Sequence, residues 1–536
     1  MSFVPDTQNK EFQDALNLIQ YTRQSVFLTG KAGTGKSTFL KYICANTKKK
    51  HVVLAPTGIA AINAGGSTLH SFFKLPFYPL LPDDPNFSLQ RGRIHEFFKY
   101  TKPHRKLLEE LELVIIDEIS MVRADIIDAV DRILRVYSRN LREPFGGKQI
   151  LLVGDVFQLE PVVKGDEREI LNRFYPTPYF FSARVFGQID LVSIELQKVY
   201  RQTDSKFIHV LDHIRNNTVG STELQLLNTR YGTQIEQSEA DMYITLATRR
   251  DNVDYINDKK LAELPGDPVT FYGEIMGDFP ESSLPTSQEL VLKPGAQIIF
   301  IKNDFDRRWV NGTIGVISGF DPIEETLYVI TDDGKECDVK RESWRNIRYK
   351  YNEEKKQIEE EELGTFTQYP VRLAWAITVH KSQGLTFSRV VIDFTGGVFA
   401  GGQAYVALSR CTSLEGIQLK KPISRADVFV RPEIVSFSER FNNRTAIDRA
   451  LKQAQADVQY VAAAKAFDKG DFGTFLDEFF KAIHSRYDIE KPNVQRLIRR
   501  KLNIINRLKE ENRALKQAAL ELSLIHISEP TRPEPI

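Results

Sequence analysis

Cysteine is nearly absent from this chain: 536 residues carry three, Cys44, Cys337 and Cys411, far apart and with no Cys-x2-Cys pair. That scarcity excludes a disulfide framework, points to a reducing compartment and argues against a zinc site. An excess of charge is missing too. Seventy-two Lys and Arg face 71 Asp and Glu, a formal net of +1, so affinity for nucleic acid has to come from local basic surface. No apolar stretch is long enough to span a bilayer, and Met1-Ser-Phe-Val-Pro5 lacks the basic-then-apolar order of a secretory signal. A soluble, cytoplasmic protein with no membrane partner is expected. The 42% hydrophobic and 27% charged residues are ordinary for globular proteins, and the length predicts several domains.

What is present is most informative at Gly30-Lys-Ala-Gly-Thr-Gly-Lys-Ser37, which fits the Gly-x4-Gly-Lys-Ser/Thr pattern. The apolar run Ser25–Thr29 predicts a buried strand entering it, and Thr38–Ile43 a helix leaving it. That context separates a nucleotide site from a chance glycine cluster. Glycines let consecutive backbone N–H groups face inward, and the helix N-terminus adds partial positive charge, so polyphosphate is held mainly by main chain. Gly30, Ala32, Gly33, Thr34, Gly35, Lys36, Ser37 and Thr38 are therefore expected around a nucleoside triphosphate. Lys36 would reach the β- and γ-phosphates and Ser37 would bind Mg²⁺.

A second buried strand, Leu113–Ile116, ends in Asp117-Glu118. Apolar runs of this kind belong in parallel sheets covered on both faces. At such a strand end Asp117 can complete the Mg²⁺ shell, and Glu118 can orient or deprotonate the attacking water. A third strand, Gln149–Val153, leads into Gly154-Asp-Val-Phe-Gln158, where the Gln158 amide can sense the γ-phosphate or the water. Arg201, in Val199-Tyr-Arg-Gln202, and Arg410, in Tyr405-Val-Ala-Leu-Ser-Arg410, are candidates to neutralise the transferring phosphoryl group. An arginine in that role is worth about 10³–10⁵ in rate.

Together these segments, with Ala55-Pro-Thr-Gly-Ile-Ala-Ala61 and Thr378-Val-His-Lys-Ser-Gln-Gly384, stand in the order of superfamily 1 helicase motifs. More narrowly the chain resembles the petite-integration-frequency (PIF) helicases, relatives of RecD. That narrower likeness rests on Asp131-Arg-Ile-Leu-Arg135 through Pro144-Phe-Gly-Gly-Lys-Gln149, which is similar to the family's signature segment. The resemblance covers roughly residues 8 to 420. It implies two RecA-like domains with ATP between them, 5′→3′ movement on single-stranded DNA, and unwinding of forked or structured duplex in repair, recombination or replication. It also implies roles. Gln13 matches the glutamine that reads adenine, although Phe12 replaces the usual acid beside it. Gly384 would meet the γ-phosphate, while Thr57, His70, Phe72, His380 and Lys381 stand where the family contacts DNA.

The expected fold is α/β: two RecA-like parallel-sheet P-loop domains, a small SH3-like β-barrel insertion and a helical C-terminal extension. The first domain should span 1–190, with a wedge near 67–90. The second should comprise 191–265 and 366–430, resuming at a helix over Leu373–His380, with the β insertion at 266–365 between the two parts. In the wedge, Pro76, Pro79 and Pro82 exclude regular helix or central strand. There Phe72, Phe73, Phe77 and Tyr78 either stack on bases or pin a loop as buried aromatics. Within the insertion, Lys302, Arg307, Arg308 and Trp309 make a basic-aromatic cluster that suits either a DNA clamp or a solvated hairpin tip, and Glu359–Glu362 reads as a solvated face.

A helical stretch is expected over 431–490 and a basic helix over 491–523. In the latter, Ile498, Ile505, Asn512 and Ala519 share one heptad seam position, and Lys501, Leu508, Leu515 and Leu522 the other. That pattern fits self-association through 494–522, while nine Lys/Arg against two Asp/Glu from Lys491 to Lys516 fit contact with DNA. Residues 524–536, with three prolines, are expected to be a disordered or non-native tail. The function expected is ATP-dependent DNA unwinding. An ATP-gated clamp or translocase, a nucleotide-switch scaffold, and RNA as substrate stand as alternatives.

Overall fold

Short apolar runs become the centre of a parallel sheet. In this computed structural model, which describes residues 6–84, 93–163, 165–202, 204–233, 242–306, 308–352, 354–355, 357–486 and 492–527, six strands form the first sheet. They are β1 (Val26–Gly30), β2 (His51–Ala55), β3 (Ser67–Thr68), β4 (Leu113–Ile116), β5 (Gln149–Val153) and β6 (Val192–Leu196). Their order is β3-β2-β4-β5-β1-β6, with every pairing parallel. β1, β4 and β5 are buried along their whole length, as strands covered by helices on both faces must be. Parallel strands send all their following loops to one edge, so the phosphate loop, Thr57, Asp117-Glu118 and Gln158 share that edge. The expected domain boundary at 190 is corrected here, because Val192–Leu196 pairs with β1 from Val26↔Val192 to Gly30↔Leu196. Its apolar character suits either sheet, and only pairing decides.

The second sheet opens with β7 (Ile244–Ala247), and the chain then leaves it for ten strands of antiparallel insertion. These are β8 (Val269–Tyr272), β9 (Glu274–Gly277), β10 (Glu289–Leu292), β11 (Gln297–Phe300), β12 (Ile314–Asp321), β13 (Thr326–Thr331), β14 (Glu336–Val339), β15 (Glu342–Asn352), β16 (Gln357–Gln368) and β17 (Val371–Leu373). It returns as β18 (Ala376–Thr378), β19 (Val390–Asp393) and β20 (Ile417–Leu419), in the parallel order β18-β7-β19-β20. The helix expected over Leu373–His380 is therefore two short strands. Val371, Ile377, Thr378 and Val379 are β-branched, and the run is apolar on both faces, a pattern periodicity alone does not assign. The insertion also reaches past its expected end at 365, since β17 pairs with β11 inside it.

In the insertion, β14-β13-β12-β11-β17 wrap a core that includes Phe300, Trp309, Leu327 and Val371. β15 and β16 form a long ribbon whose Tyr349 hydroxyl lies 3.3 Å from Val53 N in the first domain. The acidic run on that ribbon is ion-paired across strands, Arg348 to Glu361 and Arg345 to Glu362, both at 2.7 Å.

Residues 431–443, expected within a separate helical extension, instead dock on the first domain. The helix Pro432–Ser438 buries Ile434 and Phe437 in the same core as Phe27 and Phe180, and Arg431 pairs with Glu160 at 2.8 Å. Residues 451–536 form a second compact unit. Its helices are the end of Arg444–Asp468, then Phe472–Arg486 and Pro492–Ile527, with left-handed Gly470 at the first turn. Ala456, Tyr460, Ala463, Phe479 and Ala482 make its core. Helix continues through 524–527, which corrects the expected tail; 528–536 lie outside the described residues. Of the heptad positions, Leu508, Leu515 and Leu522 are exposed, but Lys501 is buried against the Phe467 ring and bonded to Asp468. No helix among the described residues is long and apolar enough to cross a membrane, and all three cysteines are unpaired.

The signature segment turns out to be a clamp. On the helix Ala124–Tyr137, Arg135 Nε donates to both oxygens of Asp131 at 2.9 and 2.8 Å, and Asp131 also accepts from Phe145 N at 2.5 Å. Arg135 reaches on to Leu141 O and Gln188 Oε1. Asp131→Ala leaves a buried guanidinium uncompensated and should cost about 3–5 kcal/mol. Guanidinium unfolding followed by circular dichroism measures it; a loss below about 1 kcal/mol would show the clamp to be dispensable.

Candidate active site

The phosphate loop folds as its glycines require. Gly33 and Gly35 adopt left-handed φ of 81° and 90°, which turns successive N–H groups inward ahead of the helix Lys36–Asn46. Gly33 has no room for a side chain either, since a Cβ would stand 2.4 Å from Arg201 Cβ. Lys36 Nζ donates to Gly30 O and Lys31 O at 2.7 and 3.1 Å, so its ammonium lies over the nest. Burial pulls Lys36 below its ordinary value, opposed by Asp155 and Glu118. Ser37 is exposed at the start of the helix, and Thr38 half-buried.

Asp117 and Glu118 leave the end of β4 together. Asp117 Oδ1 accepts from Glu118 N at 2.9 Å, and Glu118 holds a left-handed φ of 49°. That conformation costs a non-glycine residue about 1–2 kcal/mol, and such strain concentrates at reacting positions. Burial first, and Asp117 second, push the Glu118 carboxyl up to about 7, while Lys36 and Arg410 draw it down. Burial raises Asp117 as well. Two carboxylates raised in this way, with a serine hydroxyl on the same sheet edge, are a hard oxygen donor set, so Ser37 and Asp117 fit Mg²⁺. Gln158 is buried with its amide donating to Asp155 Oδ2 at 3.2 Å.

The facing side of the cleft is supplied by residues distant in sequence. Arg410, 1% exposed, donates to Val406 O and Ser409 Oγ at 3.0 Å and to Ser382 O and Leu385 O at 3.4 Å. Arg201 donates to Ser409 O at 3.4 Å. Among the described residues neither guanidinium has a carboxylate within ion-pair distance. Burial and then Arg201 lower Arg410 to about 9. A buried and a half-buried guanidinium satisfied only by carbonyls and a hydroxyl are arranged for an anion, and a transferring phosphoryl group fits them.

Several contributors are invisible to sequence reasoning. Arg215 is buried with its guanidinium on Asp155 at 3.1 Å and Glu195 at 2.8 Å, and it covers the Phe157 ring at 4.2 Å. Asp212 holds Lys31 of the loop at 2.6 Å. Both lie on the helix Ser205–Arg215, which no motif marks. Tyr405 and Asp155 did lie within the quoted motifs. The Tyr405 hydroxyl accepts from Ala32 N at 2.9 Å, joining the second domain to the phosphate loop. Gly402 packs so closely that a Cβ there would lie 2.3 Å from the carbonyls of Phe157 and Gln158.

Beside the loop is a pocket lined by Phe12, Thr34, Thr38, Leu196, Lys198 and Tyr200, among others. Gln13, expected to read a base, is exposed and donates to Thr7 O at 2.9 Å. Phe12, in place of the family's acid, is core, packed on Phe39 and Tyr42 at 4.8 and 5.5 Å.

The expected DNA contacts divide. Thr57 is exposed, its hydroxyl capping the helix Gly58–Ala64. His70 stacks on Phe77 at 5.0 Å, and Phe77 is 84% exposed. His380 is half-buried with its ring 6.5 Å from Phe399; Lys381 and Gly384, which has open space around it, are exposed. Phe72 is corrected: at 4% exposure it belongs to the core against Phe73, His104 and Tyr349, because the helix Leu69–Phe73 turns that ring inward. The basic-aromatic cluster is also corrected. Trp309 is buried on Phe300, Arg308 pairs with Asp304 and Asp338, and Lys302 pairs with Glu342. Arg307 lies outside the described residues.

Fold and site together define a P-loop nucleoside triphosphatase with two RecA-like domains and a phosphate site closed by arginines. A family model described as "PIF1-like helicase" matches residues 4–225. The chain is 33% identical over 415 residues to the human ATP-dependent DNA helicase PIF1, covering 74% of this chain and 58% of that protein. It is 31% identical over 439 residues to the ATP-dependent DNA helicase Pif1 of Bdellovibrio bacteriovorus, covering 80% of this chain and 91% of that one. Among solved structures, Bacteroides Pif1 in complex with ADP-AlF4 is 42% identical with a TM-score of 0.73, over 80% of this chain and 96% of that one. The same Bacteroides protein bound to single-stranded DNA matches at a TM-score of 0.58, over 82% and 97%. The chain belongs to the PIF1-like helicase family.

With Glu118 as base, kcat/KM for ATP should fall as pH drops through about 7, because the protonated carboxyl accepts no proton. In Glu118→Gln, hydrolysis should be lost with nucleotide binding retained. A pH profile unchanged down to about 5 would remove Glu118 from that role. Phe72→Ala should cost about 3–5 kcal/mol of stability, whereas Phe77→Ala should leave stability alone and weaken single-strand binding, in fluorescence anisotropy, by about 1–3 kcal/mol. Unchanged affinity in Phe77→Ala would end the stacking role.

Proposed function

We propose that this chain is an ATP-dependent DNA helicase that moves 5′→3′ on single-stranded DNA and opens forked or structured duplex. The observation that carries the reading is the cleft, where the phosphate loop and Asp117-Glu118 of one domain meet Arg201 and Arg410 with only carbonyl and hydroxyl partners. The relatives are named as DNA helicases, and the Bacteroides relative binds both an ATP-analogue complex and single-stranded DNA.

In this reading the phosphate loop and Lys36 hold the polyphosphate, and adenine lies in the pocket beside Thr38 and Tyr200. Ser37 and Asp117 would hold Mg²⁺, which would supply neutralisation of the phosphate charge. Glu118 takes the proton of the attacking water, while Gln158 registers the γ-phosphate. Arg201 and Arg410 gain a phosphoryl anion that only bound nucleotide provides, so nucleotide draws the two sheets together and its loss releases them. Gly402 against Phe157 and Gln158, and Tyr405 on Ala32, carry that movement between domains. Thr57, His70, His380 and Lys381 grip the strand, the antiparallel insertion serves as the SH3-like clamp, and Phe77 with Tyr78 form the wedge at the fork. The free thiols fit a reducing, cytoplasmic setting, and Leu508, Leu515 and Leu522 offer a seam for self-association on DNA.

Duplexes carrying either a 5′ or a 3′ single-stranded tail, with ATP and Mg²⁺, test this. Release from the 5′-tailed substrate alone is expected, and Lys36→Ala should abolish it together with ATP hydrolysis. Hydrolysis stimulated by single strands with no release from either tail would make the protein a translocase or clamp. Unwinding that survives Lys36→Ala would refute the mechanism.

A further inference from the structure

His209 and His213 stand at His-x3-His spacing on the helix Ser205–Arg215, which corrects the expectation that no such histidine spacing, and so no zinc site, is present. The helical repeat sets residues four apart on one face, and their rings lie 4.4 Å apart. The next helix, Ser221–Asn228, adds Glu223, and one ligand atom from each residue lies within 4.8 Å of the others.

Two of the three ligands are already oriented. His213 Nδ1 lies 3.2 Å from Thr218 O and 3.0 Å from Thr218 Oγ1. With Nδ1 donating to the carbonyl, the lone pair sits on Nε2, the orientation that outer partners impose on metal-bound imidazoles. Glu223 Oε2 accepts from Gly220 N at 2.8 Å, which fixes the carboxylate and leaves Oε1 available. The two helices enclose a pocket between them, where Lys206 also stands. A cation attracted by charge alone is disfavoured beside that ammonium, whereas nitrogen lone pairs still bind a borderline metal.

We propose that His209, His213 and Glu223 form a site for a divalent transition-metal ion, of the zinc or cobalt class, that fastens these two helices together. Two imidazoles and one carboxylate are the donor set such ions favour, with a fourth position left to water. Mg²⁺ prefers oxygen throughout, so this site and the Ser37–Asp117 pair take different ions. The ion would also bear on the cleft. The same helix carries Asp212 and Arg215, which hold Lys31 and Asp155, so metal and nucleotide share one rigid element.

The test uses the full chain without a purification tag, stripped with chelator and titrated with Co²⁺ in excess Mg²⁺. A visible d–d absorption band saturating at a single Co²⁺ per chain and displaced by Zn²⁺ is expected. His209→Ala should abolish the band and weaken Zn²⁺ binding roughly tenfold or more, with the metal-free far-UV spectrum unchanged. Glu223→Gln should weaken binding with the band altered. No band in the unmodified chain would overturn the proposal, as would a band that persists in His209→Ala. His213 also bonds Thr218, so the exposed His209 is the decisive variant should His213→Ala disturb the helix.

Discussion

Buried positive charge with no protein counter-charge is the constraint on which the rest of this molecule depends. Lys31 and Arg215 are neutralised by Asp212, Asp155 and Glu195. Lys36 is offset in part by Asp155 and Glu118, while Arg201 and Arg410 have no carboxylate within ion-pair distance among the described residues. Burying unpaired charge costs several kcal/mol per ion even after relaxation, so the cleft is stable only as a site awaiting a polyanion. A triphosphate supplies what the chain withholds. A ligand shifts a conformational equilibrium only by its differential affinity for the two states, so an anion seated on these guanidiniums would favour the arrangement that brings them together.

The scaffold makes that deficit tolerable by over-determining everything around it. Two parallel sheets present their strand-end edges to one cleft and are tied to each other there. Ala32 N donates to Tyr405, Gln202 bonds the carbonyls of Ser409 and Cys411, and Gly402 lies against Phe157 and Gln158 with no room for a Cβ. Close-packed contacts of this kind have few alternatives to one arrangement. The helix Ser205–Arg215 is the densest junction. One face enters the second-domain core through Phe207, Val210 and Ile214, and its end reaches the phosphate loop and Asp155. Its opposite side carries the histidine pair, exposed at His209 and half-buried at His213.

Departures from sequence expectation have a common physical origin. Leu191–Leu196 and Val371–Val379 are apolar runs that any buried element would accept. Hydrogen-bonding partners far away in the chain, β1 for the first and β11 and β7 for the second, decide their place. Phe72 and Phe77 read alike as aromatics in a proline-rich stretch, yet one fills the core and the other lies in solvent, because the helix Leu69–Phe73 ends between them. Trp309 and Arg308 suggested a basic-aromatic surface, and local acids and Phe300 absorbed both.

Short-range chemistry was determined by the sequence alone. The Gly30–Ser37 nest, the acids closing β4 and the cap at Thr57 each depend on neighbours within a few residues, where backbone geometry and residue type leave little choice. Only the tertiary structure decided what depends on distant partners. That includes which sheet receives each apolar run, which aromatics stay wet, and how Arg215, Asp212 and Tyr405 reach the nucleotide loop. It also decided that Glu223 would meet His209 and His213. The reason is that the energy of an ion pair or a ligand set falls on atoms brought together by burial, and burial is a property of the whole chain.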